Sequence, residues 1–272
     1  MKTIKTKNIV FICLLTFFFI TKALSQTSVS ESTHKEKDWS FHIAPYALLA
    51  SQSTDVGGQS IRQSFNDLAS LTNGGFQIIG VVSYKKYSLS FDGTFAELGS
   101  DFAQGPFIAD LTVNQKIFGF KGAYEVYDNF QFAEDYVIKG WSLRVNLGAK
   151  YWLNNIDVDY QIVIGNTVIN EDTLNEKQEW WDLMIGINPK FVISKKFDLS
   201  ADLNIGGFGI GNSSDFALDF TYLNSFKVSR TIAVHAGFRT FKYKQTEGSG
   251  EERLETKVSV LGPMLGVSVK LY

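Results

Sequence analysis

The chain has 272 residues, with 26 basic against 28 acidic side chains, 23 phenylalanines, 11 tyrosines, 23 glycines, 4 prolines and 1 cysteine. A lone cysteine excludes a disulfide framework, the slight acidic excess argues against nucleic acid as a partner, and no apolar run approaches the roughly 18 residues of a membrane-spanning helix. Abundant aromatics and glycine with little proline lean towards β structure with tight turns, in one large domain or two smaller ones.

Met1 to Ser25 reads as a secretory signal peptide. Lys2, Lys5 and Lys7 form a positive n-region, Ile9 to Ile20 is an apolar core too short to span a bilayer, and Ala23-Leu24-Ser25 precedes Gln26 as a small-x-small cleavage site. Cys13 lies inside this segment, so it marks neither a lipoprotein nor a catalytic thiol. Cleavage takes away four lysines and no acids, leaving 22 basic against 28 acidic groups in the remaining 247 residues, a net charge of −6. Gln26 to Lys37 is polar and reads as a loose N-terminal arm.

From Asp38 onward the sequence predicts ten strands: 39–50, 75–85, 87–98, 107–124, 141–153, 180–192, 196–209, 216–226, 231–243 and 257–272. Lys196 to Gly206 shows the signal most clearly. There Phe197, Leu199, Ala201, Leu203 and Ile205 alternate with Asp198, Ser200, Asp202, Asn204 and Gly206, a period of two that only a strand turns into one apolar and one polar face. Trp141 to Tyr151 and Trp181 to Phe191 alternate in the same way. The links SYKKYS, VISKKFD and KVSRTI are tight and basic, whereas 51–73, 154–179 and 245–255 read as long polar loops, with a small extra hairpin within 156–169 around Gly165-Asn166. Short turns alternating with long loops over an even strand count describe an outer-membrane barrel with both termini periplasmic. Glu125 to Lys139 is longer than its place among the short turns suggests.

The second faces of these strands carry Asp92, Arg144, Lys150, Asp182, Lys190, Asp198, Asp202, Asp219, His235 and Arg239. Unpaired ions in the core of a soluble sandwich cost several kcal/mol each, so this set fits a lumen charge network better, with the apolar faces turned outward to hydrocarbon. Trp39, Tyr84, Tyr87, Trp141, Tyr151, Trp181, Phe197, Phe226 and Tyr243 at strand ends suit two interfacial girdles. The expected fold is all-β: a single antiparallel up-and-down transmembrane β-barrel over 38–272 with about ten strands, eight or twelve being the alternatives.

The segment EWWDLMIGINPKFVISKKFDLSADLNIGGFGIGNSSDF, with GFRTFKYK and the terminal LGPMLGVSVKL, resembles an uncharacterised group of Gram-negative outer-membrane barrels marked by a WxDPxxGxRxxxxLxxxWxLxxxGDxGGFGxGSD-type block and a GPxxGxxxxF-type end. FNDLASLTNGGFQIIGVVSYKKYSLSFDGTFAELGSDF resembles that group's first hairpin. Asp182, Gly186, Asp202, Gly206, Gly207, Phe208, Gly209, Ser214, Asp215, Gly262, Pro263 and Gly266 stand where the pattern wants them. Leu183 replaces the pattern's proline, Asn204 and Ile205 intervene before the glycines, and Tyr272 lies one residue beyond the Leu265, Val267, Val269, Leu271 face. The resemblance implies a barrel in the cell outer membrane and implies no established activity.

Catalytic, metal and cofactor sites are not expected. His34 lies in the arm, while His42 and His235 stand in strands, too far apart in sequence for a metal constellation. His235 with Asp219 and Arg239 is the one acid-base grouping, and its structural alternative is the charge network itself. Gly206-Gly207-x-Gly209 lacks the following helix that a phosphate loop requires. The expected role is structural, surface-interacting or a narrow pore. A rim enzyme acting on lipid or peptide and a soluble secreted β protein are the competing readings. The expected partners are outer-membrane lipid and lipopolysaccharide, plus the barrel-assembly machinery during insertion, for a monomeric protein.

Overall fold

The computed structural model describes residues 38–271 apart from 57–58, 105, 134–135, 165–166 and 249–253. The expected signal peptide, the N-terminal arm, the Gly165-Asn166 turn and Tyr272 lie outside the described residues.

Among the described residues thirteen strands and one short helix follow in order: β1 (Trp39–Leu48), β2 (Ser51–Val56), β3 (Gln59–Gln63), α1 (Phe65–Leu71), β4 (Thr72–Tyr84), β5 (Tyr87–Gln104), β6 (Phe107–Asp128), β7 (Gln131–Ala133), β8 (Tyr136–Ile164), β9 (Thr167–Val192), β10 (Phe197–Gly207), β11 (Phe216–Lys227), β12 (Ile232–Glu247) and β13 (Leu254–Lys270). Ten of the strands close a ring in the order β1-β4-β5-β6-β8-β9-β10-β11-β12-β13, sealed by antiparallel pairing of β13 with β1. Each ring strand pairs antiparallel with its neighbours, so the fold is an up-and-down β-barrel.

The turns at one rim are short. Lys85 adopts φ 51 in the link between β4 and β5, the positive φ that a tight two-residue hairpin demands. Ser194 and Ser229 hydroxyls accept backbone N–H bonds in the two turns Ile193–Lys196 and Val228–Thr231. The longer link after Glu125 belongs to the same rim: β6 runs on to Asp128, and β7 folds back on β8 through Gln131↔Lys139 and Ala133↔Tyr136.

The opposite rim corrects the expectation of long polar loops. Residues 154–179 continue β8 and β9, which run 29 and 26 residues and stay paired from Leu153↔Glu179 to Ile164↔Thr167. The hairpin expected within 156–169 is the tip of this long pair, with Ile164↔Thr167 as its last pairing. Residues 99–104, between the predicted strands 87–98 and 107–124, likewise continue β5. Within the expected loop 51–73, the described residues form β2, β3, α1 and the start of β4; Ser64 caps the helix and its own N–H donates to the Asp67 carboxylate, a complete capping box.

Register fixes the faces. Leu203 and Ile205 are 38% and 41% exposed, whereas Asp198 and Asn204 are 4% and 2% exposed, so the polar face of β10 points into the barrel. Cross-strand pairing carries this polarity around the ring through Leu203↔Ile187, Ile187↔Val145 and Val234↔Val267, all turned outward. Outward aromatics form a ladder at the short-turn rim, with ring centroids 4.6 Å apart for Trp39–Tyr84, 5.1 Å for Tyr87–Tyr124 and 4.4 Å for Tyr127–Trp141. A second ladder runs Phe118–Tyr151–Trp181 towards the far rim. Tyr243 does not join it. Its parity with Phe241 and Arg239 turns it inward, where it is buried.

Candidate functional site

The barrel interior is layered. Towards the rim of long hairpins, Trp152, Trp180, Met184, Phe241, Tyr243, Val258 and Val260 form an apolar plug. Trp152 stacks on Trp180 at 6.0 Å and meets Tyr243 at a tilt at 5.0 Å, and Trp180 lies 5.1 Å from Tyr243. Lys150 closes the underside with its ammonium 5.0 Å from the Trp152 ring and 5.4 Å from Phe241, within the reach of a cation–π contact.

Below the plug lies the central charge cluster. Arg239 on β12 donates through Nε to Asp219 at 3.2 Å and through Nη2 at 2.9 Å, a two-point bond that fits the planar guanidinium fork. The same side chain also bonds Asp92 on β5 and the Tyr46 hydroxyl on β1, and Lys150 on β8 bonds Asp219 on β11. Tyr46 donates to Asp92 at 2.9 Å. Five strands are therefore tied across the lumen by two cations, two carboxylates and a phenol. A cavity of about 20 Å³ sits beside Lys121, Lys150, Asp219 and Asn204, room for one water. The Asn204 Oδ1 has no protein partner.

Nearer the short-turn rim the charges pair locally. Lys121 bonds Asp202, which also accepts from Asn146 at 3.4 Å. Arg144 meets Glu125 at 3.2 Å, and Asp198 lies 3.8 Å from Lys190 and 3.5 Å from Lys227. Each pair neutralises a charge that the closed barrel withdraws from bulk water.

Asp182 departs from the expected charge network. It is fully buried and meets neutral donors: the Trp152 indole N–H at 2.7 Å, the Ser214 backbone N–H at 2.8 Å and the Ser214 hydroxyl at 2.9 Å. The Trp180 indole donates to the same Ser214 hydroxyl at 3.0 Å. The β10–β11 loop that carries Ser214 turns on Gly207, Phe208, Gly209 and Gly211, all at positive φ. Asp182, Gly207, Gly209 and Ser214, spread over more than thirty positions of the resemblance block, thus form one latch that docks this loop over the plug.

The acid-base grouping of His235 with Asp219 and Arg239 is split. His235 lies opposite Ser225, six positions along β11 from Asp219, and its ring nitrogens bond the Ser225 hydroxyl at 2.9 Å and the Ser268 hydroxyl at 2.7 Å. Asp92, Arg144, Lys150, Lys190, Asp198, Asp202, Asp219 and Arg239 all point inward and are paired as described. Sequence reasoning missed Tyr46, Lys121, Glu125 and Lys227. The signal for two of them is plain, since Ile117, Gly119, Lys121, Ala123 and Glu125 alternate with Phe118, Phe120, Gly122 and Tyr124.

The fold and interior define a ten-stranded barrel with an outward apolar face and an inward charge network. No protein-family model and no curated protein sequence matches the chain. Among solved structures, the outer-membrane protease OmpT from Escherichia coli superposes with a TM-score of 0.53 at 9% identity, covering 90% of this chain and 100% of its own. Ail, the attachment invasion locus protein of Yersinia pestis, gives 0.34 at 13% identity, and Neisserial surface protein A gives 0.30 at 13%, each covering 86% of this chain and 97% of its own. The likeness to OmpT is one of fold.

Proposed function

We propose that this chain is an integral outer-membrane barrel with a structural or surface-interacting role and a lumen closed to solutes. The observation that carries the reading is the inverted polarity of the ring. Leu147, Leu183, Ile185, Ile187, Val234, Leu265 and Val267 are exposed on the outside while ions are sequestered within. In water such an exterior is a large apolar patch of the kind that drives association. In a bilayer it is the required surface, and on β9 alternate residues face outward over the eleven positions from Trp181 to Phe191, the length that a tilted membrane strand needs. The short turns and both chain ends then face the periplasm, and the long hairpins face outward from the cell.

Lumen closure is supported by the stacked indoles and the Arg239 cluster, which fill the interior at two successive levels. Lipid and lipopolysaccharide surround the belt, assembly machinery inserts it, and the chain works as a monomer. Fractionation of the expressed protein tests the placement. Recovery from the outer membrane only with detergent, with heat-modifiable gel migration, is expected; release by carbonate or high salt would refute it. In planar bilayers the purified protein gives no unitary current steps, and regular steps at low protein concentration would refute the closed lumen.

A further inference from the structure

Beyond the ring, four strands continue alone. β4 stops pairing with β5 at Thr72↔Leu98, and β10 stops pairing with β9 at Leu183↔Gly207, yet β5, β6, β8 and β9 run on together. From Thr167 to Glu179, β9 is hydrogen-bonded to β8 on one side and to no described strand on the other. Leu174 there is 58% exposed. A long uncovered edge presents a row of backbone N–H and C=O groups that a further strand can join.

The two faces of the protruding sheet differ away from the edge strand. Asp110, Asp157, Asp159 and Glu171 share the outer face, with Asp110 directly opposite Asp159. Like charges at directly opposed positions destabilise a sheet unless a partner offsets them, and Asp159 accepts from the neutral Thr173 hydroxyl at 2.6 Å. The inner face carries Leu111, Val113, Ile156, Val158 and Leu174, with Asp172 and Glu176 on either side of Leu174 along β9 itself. Between Thr167 and Glu179 the edge strand itself holds Glu171, Asp172, Glu176 and Glu179 against Lys177. Pairing with a second copy would set these acids against themselves.

We infer that the free edge of β9 is a docking site for an extended peptide in which apolar and basic residues alternate. Its backbone adds a fifth strand to the protruding sheet. Its basic side chains fall on the acidic outer face, and its apolar ones extend the Leu174–Val158–Leu111 row. The inference does not depend on where the barrel sits in a membrane.

The test uses the full chain in detergent micelles and a fluorescein-labelled peptide of about ten alternating valines and lysines, a length that matches the edge. Anisotropy should show saturable binding, and a peptide of the same composition with the valines and lysines in two blocks should bind at least about tenfold more weakly. Thr173→Pro and Leu174→Pro together cover both strand directions, since successive N–H groups point to opposite sides and one of the two must face the free edge. At least one of them should lower affinity about tenfold with the barrel's thermal unfolding unchanged. Asp159→Asn with Glu171→Gln, which leaves the backbone intact, should weaken binding and flatten its salt dependence. Absence of binding, equal binding of the block peptide, or concentration-dependent dimerisation through Thr167–Glu179 would each overturn the inference.

Discussion

Arg239→Ala is the most informative single perturbation of the interior. Arg239 is 4% exposed and bridges Asp219 and Asp92, while Lys150 is the other cation on Asp219. With Arg239 present the cluster holds two cations and two carboxylates; without it, the buried Asp219 and the half-buried Asp92 are left with one lysine. At the 2.9 Å Arg239–Asp219 contact, an effective dielectric of about 20 gives a gross attraction of ~6 kcal/mol. Desolvation of both ions offsets part of this, and removing one partner of a buried pair typically costs about 3–5 kcal/mol because the other is left uncompensated. We expect a loss of that size for Arg239→Ala. The double variant Arg239→Met with Asp92→Asn, which restores neutrality, should recover about half of it. Urea unfolding of the refolded protein, followed by tryptophan emission and by heat-modifiable mobility, reads the change. A loss under about 1 kcal/mol for Arg239→Ala would refute the assignment of this cluster as the tie across the lumen.

Three further outcomes follow from the same geometry. Leu203→Arg should block membrane assembly, since a cation on the outer face near the midplane costs about 2–4 kcal/mol, whereas Asp202→Asn, in a half-buried pair with Lys121, should assemble with a loss of about 1 kcal/mol; the reverse ranking in a membrane-fraction assay would contradict the facing. Gly207→Ala should cost about 1–3 kcal/mol in urea unfolding, because φ is +86 there and a Cβ would meet the Ser214 carbonyl at 2.4 Å; an unchanged midpoint would contradict the loop latch. Hydrogen bonds from Lys244, then Lys257, hold the Glu255 carboxyl down to about 2 from its ordinary 4.5. A folded value below the unfolded one means that this pairing stabilises fully above pH 4.5 and is lost as pH falls towards 2, so carboxyl NMR should show a midpoint near 2 that returns towards 4.5 when both lysines are replaced by methionine.

The ring was legible because alternation sorts residues by face before any contact is known. Leu203 and Asp202 were separated by parity alone, and the same rule placed Arg144, Lys150 and Asp219 inside. Parity was available but not applied for Lys121 and Glu125, and for Tyr243, whose position near a strand end suggested a girdle while its odd number grouped it with Arg239. The long hairpin was misread for a different reason. Ile156, Val158, Tyr160 and Ile162 alternate as a strand does, but the intervening Asn155, Asp157 and Asp159 are poor strand formers, and pairing with β6 overrides their preference. The Asp182–Ser214 latch could not be read from spacing, since it depends on how a turn of positive-φ residues folds back over the barrel mouth. The partners of each lumen charge were equally hidden: Arg239 reaches Asp92 across strands that lie far apart in the chain.

The direction of the apolar face is the claim on which the rest depends. Cys13 is the chain's one cysteine, so in a Cys13→Ser background single cysteines at Leu203 and Asn204 can each carry a nitroxide without interference. In reconstituted liposomes, power-saturation EPR should find the label at Leu203 highly accessible to oxygen and shielded from a water-soluble nickel chelate, with the label at Asn204 shielded from both. Ready access of the nickel chelate to Leu203, with Asn204 in contact with lipid, would contradict the inside-out barrel.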